Sequence, residues 1–541
     1  MKAGSIRALD QVRVGLAVRT GTVMFVLMSF ALAYWLWFSI DQRSIDGPDS
    51  ISMLAARGIL DEGLPRLPSG FLYQRGYIPN YLLAGSFLIF GVNHLASALP
   101  SLVMALGTMW LVYLLASRVL GNPWLGVVAA AILIVLQVQT FYATGPRMYM
   151  ALEFFTVLAS YSAWRGYIEG SIKFQFVTAF AVSAALLSNT EAAFLLLAIP
   201  AAWLAVMLTS RRPIPRLVSP ATLAGALLIG AAVYFTFIFS IPDSVPPIAY
   251  DDGRAGEERI GLTLDVLAWG KHLVNYERAF PYGLALFPLT LSAVFLAGVK
   301  RRLGSMSGPL YMSVLVIVPT ILLPLSSEEV FGTRLWLFIL PFQVLLFCLG
   351  GEILLGTLGL VKARTPYVDL SKLRLVLLLL MAGVFMSFIL GFVARGSQFL
   401  EIVREGYGVP CQGRDCDKYV KTVYENLRKE LRPDDVVVSS RADVTYHYLT
   451  RVDFLLRKKT SKVGVFTRDE HLGVPVIDGV AELRDLLNSD QRVWVIAHSN
   501  VKDVLEEPSY RYLDDAFDDF QSNELITVYV NSRDVVGQLQ R

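Results

Sequence analysis

The 541-residue sequence is 54% hydrophobic and only 17% charged, below the charged share of about 25% that is typical of soluble proteins. This composition excludes a disordered chain, a collagen and a disulfide-rich secreted module, and a net charge of +3 gives no reason to expect nucleic acid as a partner. Charged residues number 45 among the last 141 positions (32%) but 48 among the first 400 (12%). The sequence therefore predicts a membrane domain followed by a water-exposed domain.

Eleven apolar runs are long enough to cross a bilayer, whose hydrocarbon core requires roughly 20 residues of helix. They lie approximately at 20–40, 96–117, 124–141, 147–164, 174–188, 191–209, 217–241, 281–299, 309–325, 335–360 and 374–395. The first run contains Ala31-Leu32-Ala33, as a cleaved signal peptide would, but it continues to Ile40 and so favours an uncleaved anchor. The shorter apolar run from Tyr77 to Phe90 suits an interfacial or re-entrant helix.

The charges of the loops support this count, because Lys and Arg accumulate on the cytoplasmic side of a membrane. With the N-terminus inside, the cytoplasmic segments carry 17 bases and three acids, whereas the outer segments carry 10 bases and 15 acids. The sequence thus predicts a multi-pass cell-membrane protein with a cytoplasmic N-terminus. Residues 1–395 would form the membrane domain and residues 396–541 an extracytoplasmic domain.

The first outer loop, residues 41–95, is far longer than a connection requires. Asp46 and Asp49 follow the first span closely, and we expect Asp49 or Ser50 to cap a helix that begins at Ile51. These carboxylates either solvate and cap a helix end or carry chemistry at the membrane surface.

Three outer segments each carry an arginine at the depth of the membrane surface. Tyr73 and Arg75 lie in the first loop, Arg147 and Tyr149 open the fourth span, and Arg334 opens a later span. Separately, such residues are also typical of an aromatic belt with snorkelling bases. Together, three arginines at one depth could bind one phosphate through charge-assisted hydrogen bonds.

The C-terminal residues predict a small α/β domain, because short apolar runs alternate with helical stretches. The strand-like runs begin at Val436, Val463, Val474 and Val493, and the helical stretches lie at about 417–431, 480–488 and 501–507. Cys411 and Cys416 either form a short-loop disulfide, as an oxidising compartment allows, or are two free thiols. No glycine-rich nucleotide-binding motif is present in this domain.

The order of these features resembles the GT-C glycosyltransferase superfamily, and within it the bacterial branch related to protein O-mannosyltransferases and lipid A aminoarabinose transferases. The resemblance covers roughly residues 20–345. It is carried by Asp49, Ala56-Arg57-Gly-Ile-Leu, Gly63-Leu-Pro-Arg-Leu-Pro68-Ser-Gly70-Phe-Leu-Tyr73-Gln-Arg75, Tyr81-Leu-Leu-Ala, Phe90-Gly91, Arg147-Met-Tyr-Met-Ala-Leu-Glu153 and Arg334-Leu-Trp-Leu-Phe-Ile-Leu-Pro341.

This resemblance implies a mainly α-helical membrane enzyme that moves a sugar from a polyprenyl-phosphate carrier to a glycan, lipid or protein acceptor outside the membrane. An outer-loop carboxylate would act as general base. The residues expected to hold the donor phosphate are Arg75, Arg147, Arg334, Tyr73 and Tyr149. No cofactor would be required, and a divalent metal would be optional.

The sequence departs from the family pattern at the presumed base. Where the family usually has Asp-Glu, this chain has Pro48-Asp49, so either Asp49 has taken over the role or Asp46 supplies the carboxylate. We favour Asp49. His94 and His272 are expected to be solvated or interfacial.

Two other functions compete with this one. A transporter or flippase for a lipid-linked sugar would place ionisable residues near the bilayer midplane, whereas here the acids and bases gather at the outer edge, with Glu153 and Glu352 as the chief exceptions. A non-catalytic scaffold would not need the long first loop. The C-terminal domain would either cap the membrane domain or recognise the acceptor, with Tyr446-His447-Tyr448 and Trp494 as weak candidates.

Overall fold

The protein, seen in a computed structural model, is predominantly helical with a small β-sheet near its C-terminus. The residues that the structure describes are 2–41, 47–209, 307–326, 337–364, 416–456, 460–461, 464–465, 468–469, 471–477, 480–487, 491–498, 513, 518–522 and 526–531, with five positions between 224 and 232. The predicted combination of a helical membrane protein and a C-terminal α/β region is confirmed at this level.

The helices of the N-terminal part follow the apolar runs, because a helix satisfies its backbone hydrogen bonds internally, as a lipid environment demands. They are α1 (Lys2–Asp41), α2 (Gly47–Glu62), α3 (Tyr77–Phe90), α4 (His94–Leu115), α5 (Pro123–Val135), α6 (Gln137–Ala143), α7 (Tyr149–Ala163), α8 (Ile172–Ser188), α9 (Leu195–Thr209), α10 (Ser307–Ser326) and α11 (Leu340–Arg364). The π-helical turns Ala116–Leu120 and Trp164–Ile168 extend α4 and α7, and the 3₁₀ turn Thr190–Phe194 precedes α9.

Three stretches among the described residues are long and apolar enough to cross a membrane, namely Val18–Trp37, His94–Leu120 and Thr190–Thr209. Several other predicted spans correspond to shorter apolar helices. The runs predicted at 281–299 and 374–395 lie outside the described residues, as does nearly all of 217–241. The count of eleven spans therefore stays a prediction.

The run predicted as one span at 124–141 is instead two helices, α5 and α6, which meet at Leu136. Leu136 has an extended backbone (φ −69°, ψ 118°), and this interrupts the helical hydrogen bonds. The prediction of one continuous helix is therefore wrong, and no Pro or Gly in this run marks the break. The residues after α6 form the turn that carries Arg147.

Helix α3 coincides with the predicted 14-residue helix. It follows Gly76, whose φ of 66° lies in the left-handed region that favours glycine. One face of α3 packs against α2, α4 and α8, and the other exposes the apolar side chains of Leu82, Leu88 and Ile89. A short helix with an apolar exposed face suits the membrane surface.

The C-terminal part contains a six-stranded sheet with the order β5-β2-β1-β6-β8-β7, in which β5, β2, β1 and β6 are parallel and β8 and β7 are antiparallel additions. Its elements are α12 (Cys416–Glu430), β1 (Val436–Ser439), α13 (Ala442–Leu449), β2 (Phe454–Leu456), β3 (Thr460–Ser461), β4 (Gly464–Val465), β5 (Val476–Ile477), α14 (Val480–Leu487), β6 (Val493–His498), β7 (Asp518–Ser522) and β8 (Ile526–Val530). The predicted strand at Val463 shortens to β4, which pairs with β3 in a separate ladder. The sequence did not predict β7 or β8, and the helix predicted at 501–507 lies outside the described residues.

The C-terminal domain packs directly on α2 and on the loop between α2 and α3. An apolar cluster joins Ile51 and Leu54 of α2 to Leu455 of β2. In addition, the backbone NH of Ser69 donates to the carbonyl of His471 at 3.1 Å. The domain therefore lies on the same side of the helical part as the first long loop.

Candidate active site

Asp49 lies in the first turn of α2 and is fully buried, with 0% of its surface exposed. The expectation that Asp49 or Ser50 caps a helix at Ile51 is wrong, because the helix already begins at Gly47. The hydroxyl of Ser50 instead donates to Oδ2 of Asp443 in the C-terminal domain at 3.0 Å. A carboxylate in the first turn of a helix is favoured by the positive end of the helix dipole.

Arg147 lies in the turn between α6 and α7 and is almost completely buried, with 5% of its surface exposed. Its backbone NH donates to the carbonyl of Gly145 at 2.8 Å, and the hydroxyl of Ser101 on α4 donates to the same carbonyl at 2.6 Å. These bonds hold the turn against α4. Nε of Arg147 then donates to the carboxylate of Asp49, so two predicted site residues form one buried ion pair.

The buried pair matters more for chemistry than for stability. Taking two charges out of water costs about as much as their attraction returns, so such a pair is weak evidence of stabilisation. A guanidinium binds carboxylate and phosphate with the same fork of N–H donors. A phosphate that enters beside Arg147 could therefore replace Asp49 as the acceptor of the guanidinium's hydrogen bonds. The carboxylate of Asp49 would then be able to accept a proton.

A small, partly open cavity adjoins Arg147 between α3, α4 and the start of α7. Its lining is mostly apolar and consists of Pro79, Leu82, Leu83, Ser97, Pro100, Ser101, Met104, Pro146, Arg147 and Ala151. Leu82 is also exposed on the apolar face of α3, so the cavity borders a surface suited to lipid. An apolar wall with one guanidinium fits a ligand that combines a hydrocarbon chain with an anionic group.

Three residues predicted to bind the donor phosphate do not line this cavity. Tyr73 is buried in the apolar cluster between α2 and the C-terminal domain. The side chain of Arg75 is exposed, and its carbonyl accepts a hydrogen bond from Nδ2 of Asn80 at 2.9 Å. Tyr149 is buried in the core of the helical part. Its ring lies edge-on to that of Tyr142, and the two ring centroids are 4.9 Å apart. The structure thus brings Arg147 to Asp49 but leaves these three side chains elsewhere.

Other predicted residues lie outside the described part of the chain. They are Asp46, Arg334, His272 and Cys411. The role of Asp46 as reserve base, the role of Arg334 at the phosphate and the Cys411–Cys416 disulfide therefore stay predictions. Cys348 is a free, buried cysteine, as its place in an apolar run indicated.

Two residues near the site, Gly58 and His447, were not recognised as important from the sequence. A Cβ at Gly58 would lie 1.9 Å from the carbonyl oxygen of Arg66, so glycine is required for the loop to pack on α2. His447, only a weak candidate from sequence, has its pKa lowered to about 4 by burial and by the nearby charges of Arg57 and His94, while Asp49 acts in the opposite direction. His447 therefore lies close enough to Asp49 to sense its charge.

A metal site was expected to be optional. Across the residues that the structure describes, no group of three or more His, Cys, Asp or Glu side chains is placed to hold a metal ion. Asp46, the acid nearest to Asp49 in sequence, is not among those residues.

Comparisons with known proteins bear on the resemblance. Residues 74–238 match the family described as dolichyl-phosphate-mannose-protein mannosyltransferase, and this segment includes Arg147 and the cavity-lining residues. No match was found among curated proteins.

Solved structures with a similar fold include two crystal structures of ArnT from Cupriavidus metallidurans. The structure bound to undecaprenyl phosphate has a TM-score of 0.59 and 14% sequence identity, and the match covers 95% of this chain and 99% of that chain. The apo structure has a TM-score of 0.59 and 13% identity, with 96% and 98% covered. The apo oligosaccharyltransferase of Archaeoglobus fulgidus reaches 0.49 at 13% identity, with 95% and 75% covered.

The resemblance drawn from the sequence is confirmed by these findings. The ArnT structures show that the chain shares a GT-C-type fold over nearly its whole length. The family match adds a sequence similarity to mannosyltransferases over residues 74–238.

Proposed function

We propose that the protein is a membrane glycosyltransferase that moves a sugar from a polyprenyl-phosphate carrier to an acceptor at the outer membrane surface. The observation that carries this proposal is the buried Asp49–Arg147 pair beside an apolar cavity. The fold shared with ArnT, which was crystallised with undecaprenyl phosphate, supports the same class of donor. The acceptor is a glycan, a lipid or a protein.

The proposed reaction begins when the carrier chain lies along the apolar side of α3 and its phosphate meets Arg147. The guanidinium then turns from Asp49 to the phosphate. Asp49 accepts the proton of the acceptor hydroxyl while that oxygen attacks the anomeric carbon. The bond between the anomeric carbon and the phosphate oxygen breaks, and Arg147 stabilises the charge on the departing carrier phosphate.

Asp49 remains the favoured base, with Asp46 in reserve. Asp49 is in direct contact with the arginine of the proposed phosphate site, and it lies at the junction of α2 with the C-terminal domain. Arg75 stays a candidate for a further phosphate contact, since a bound ligand could draw its exposed side chain inward. Arg334 stays a candidate on the sequence alone. No step of the reaction requires a cofactor.

The proposed topology has the N-terminus in the cytoplasm and the C-terminal domain outside. It is supported by the 17 bases and three acids of the predicted cytoplasmic segments. It is also supported by the packing of the C-terminal domain on α2, because ten spans between the first loop and that domain return the chain to the same side. Cys416 should then react with an impermeant thiol reagent on intact, reduced spheroplasts. Labelling only after lysis would overturn this topology.

A flippase for a lipid-linked sugar is the second candidate. One observation favours it: Glu153 is fully buried on α7, where Nε2 of Gln139 donates to Oε1 of Glu153 at 3.0 Å. Buried ionisable groups at membrane depth often mark transport pathways. Against this, Arg147 and Asp49 are paired at the end of the helices that faces the C-terminal domain.

The deciding experiment uses the purified protein in nanodiscs with a panel of radiolabelled polyprenyl-phosphate sugars and membrane extract as the source of acceptor. We expect label to leave the carrier for a second product in the presence of wild-type protein, and the Asp49→Asn variant to lose this transfer. Movement of intact donor across proteoliposomes without any transferred label would favour the flippase.

A further inference from the structure

One buried carboxyl group has no part in the proposed reaction. Glu153 lies in the second turn of α7, with none of its surface exposed to solvent. Nε2 of Gln139 on α6 donates to Oε1 of Glu153 at 3.0 Å. Oε2 of Glu153 and Oε1 of Gln139, however, are buried and accept no hydrogen bond from any residue that the structure describes. Because buried polar atoms are nearly always paired, two unpaired oxygens on these two side chains require an explanation.

The pair lacks a hydrogen-bond donor. The amide nitrogen of Gln139 already faces two acceptors, Oε1 of Glu153 and, at 3.7 Å, Sδ of Met150. Both unpaired atoms are oxygens, which only accept unless the carboxyl group carries a proton. A proton on Oε2 of Glu153 can be donated to Oε1 of Gln139, and the two side chains then share a ring of two hydrogen bonds. A proton, unlike a water molecule, needs no space between them.

The surroundings of Glu153 offer no charge to balance a carboxylate. Helices α4, α6, α8 and α9 and the π-helical turn after α7 contact α7, and their titratable side chains are His94, Tyr113, Tyr142, Arg165, Tyr167 and Lys173. None of these side chains acts on the carboxyl group of Glu153. A carboxylate buried without a counter-charge is strongly unfavourable, whereas a neutral acid with two hydrogen bonds is not.

The Gln139–Glu153 pair joins the two helices that lead into and out of the turn with Arg147. Helix α6 has only seven residues, and a helix this short is marginal by itself, so its position depends on contacts with its neighbours. Ser101 holds the tip of the turn through the carbonyl of Gly145. The pair ties the two helices together on the other side of Arg147 from that tip.

We infer that Glu153 holds a proton and, as a neutral acid, braces the turn that carries Arg147 through two hydrogen bonds with Gln139. Glu153 is then a positioning residue, which acts on the carrier phosphate through Arg147. The effect on the carrier rests on the proposed transfer reaction, whereas the protonation of Glu153 can be tested without any substrate. The inference also gives this buried acid a role that requires no transport pathway.

Infrared spectroscopy tests the proton directly, because a protonated carboxyl group has a carbonyl band that a carboxylate lacks. The protein is studied near neutral pH in a detergent without carbonyl groups. We expect a protonated-acid band in wild type that Glu153→Gln removes and Glu352→Gln retains. Glu352 is the matched control, since it is an exposed acid of α11 that accepts from Asn122 at 2.9 Å. A band unchanged by Glu153→Gln would overturn the inference.

Binding and transfer in nanodiscs test the brace. Glu153→Gln should leave the dissociation constant of undecaprenyl phosphate and the transfer rate within about twofold, because the new amide offers an N–H to Gln139 where the acid offers an O–H. Glu153→Leu leaves the amide of Gln139 buried without a partner and should weaken binding by about tenfold. Glu352→Leu should leave binding within about twofold. If Glu153→Gln fails as Glu153→Leu does, the protein requires an ionised carboxylate, and the inference is wrong.

A double-mutant cycle separates positioning of Arg147 from a general structural role. If Glu153 acts through Arg147, adding Glu153→Leu to Arg147→Gln should change undecaprenyl phosphate binding by less than about twofold. An equal loss with and without Arg147 would show that the pair serves only the fold. Thermal unfolding gives the folded fraction by which each rate is corrected. A wild-type protein that does not bind undecaprenyl phosphate would contradict the proposed function, while the infrared band still reports on Glu153.

Discussion

Two buried Asp–Arg pairs in this protein have the same chemistry and different surroundings. In the C-terminal domain, Arg492 donates to Asp435 at 2.6 Å, with 17% and 1% of their side chains exposed. Asp435 also accepts from Nε1 of Trp494 at 2.8 Å and from the backbone NH of Arg432 at 2.8 Å. The bonds from Arg492 and Trp494 fasten the start of β6 to the segment before β1, and the bond from Arg432 closes a turn within that segment, so the pair is part of the sheet.

The Asp49–Arg147 pair joins no sheet. It links the first turn of α2 to a turn 98 positions later in the chain, and it borders both the apolar cavity and the contact with α13. A pair that fastens strands is explained by the fold alone. A pair that borders a cavity is better explained by a ligand that enters there.

The largest expected effect is on the transfer rate, which should depend on the Asp49–Arg147 pair and not on the Asp435–Arg492 pair. Asp49→Asn removes the proposed proton acceptor, and general base catalysis contributes about 100-fold to 10,000-fold, so transfer at saturating donor should fall by at least the first factor. Asp435→Asn should leave the rate per folded molecule within about twofold. If Asp49→Asn keeps more than about a tenth of the rate while Asp46→Asn is inactive, Asp46 is the base. If both remain active, the base lies elsewhere.

Asp49→Asn also leaves the guanidinium of Arg147 buried without its carboxylate, which carries a stability cost. The double variant Asp49→Asn with Arg147→Gln removes both charges and should recover part of that stability without recovering activity. Recovered activity in the double variant would mean that the single variant fails through misfolding.

The second effect is on the stability of the C-terminal domain, which should depend on the Asp435–Arg492 pair. Asp435→Asn should destabilise the C-terminal domain by about 1–3 kcal/mol, because the ion pair with Arg492 and the charge-assisted hydrogen bonds to Asp435 are lost. Hydrogen exchange of the backbone amides of β1 and β6 in the wild type and the variant measures this loss. A stability change below about 1 kcal/mol would show that the pair is worth no more than a surface salt bridge.

A third effect concerns the two arginines. Lys cannot reproduce a bidentate guanidinium, so Arg147→Lys should weaken binding of undecaprenyl phosphate or slow transfer by about tenfold or more. Arg492→Lys should change only stability. Arg75→Lys and Arg334→Lys test the remaining predicted phosphate contacts. Wild-type kinetics in Arg75→Lys, Arg147→Lys and Arg334→Lys alike would reduce all three to anchors at the membrane surface.

A fourth effect is a pH dependence of the C-terminal domain. Burial lowers the pKa of His498 to about 3 from its ordinary value of 6.5, and the positive charge of Arg441 adds to the shift. The unfolded chain binds this proton below pH 6.5 and the folded chain does not, so stability should fall as pH decreases from about 6.5 toward 3. His498→Gln should flatten that slope in unfolding curves recorded at several pH values. An unchanged slope would assign the acid sensitivity to other groups.

The sequence predicts local structure well where one signal dominates. The helix Tyr77–Phe90 and the strand Val436–Ser439 match their predicted positions, because an apolar run with polar or glycine boundaries leaves few alternatives. The break at Leu136 has no Pro or Gly to mark it, and β7 is too polar to read as a strand. Such features depend on tertiary contacts that local sequence does not report.

The sequence predicted individual residues of the site but not the contacts between them. Asp49 and Arg147 were both named from the sequence, but their direct contact spans 98 positions. The contact of Ser50 with Asp443 spans 393. Neither spacing has a periodicity that a single sequence could reveal. Tyr73 shows the converse, because an aromatic residue near a membrane surface suits an apolar domain contact as well as a ligand site.

The most direct test of the proposed reaction centre is a structure of the protein in a nanodisc with undecaprenyl phosphate. We predict that the carrier phosphate lies within about 3 Å of the Arg147 guanidinium, that the carrier chain follows the apolar side of α3, and that Asp49 has separated from Arg147. A phosphate bound elsewhere, with the Asp49–Arg147 pair intact, would contradict the assignment of this pair as the reaction centre.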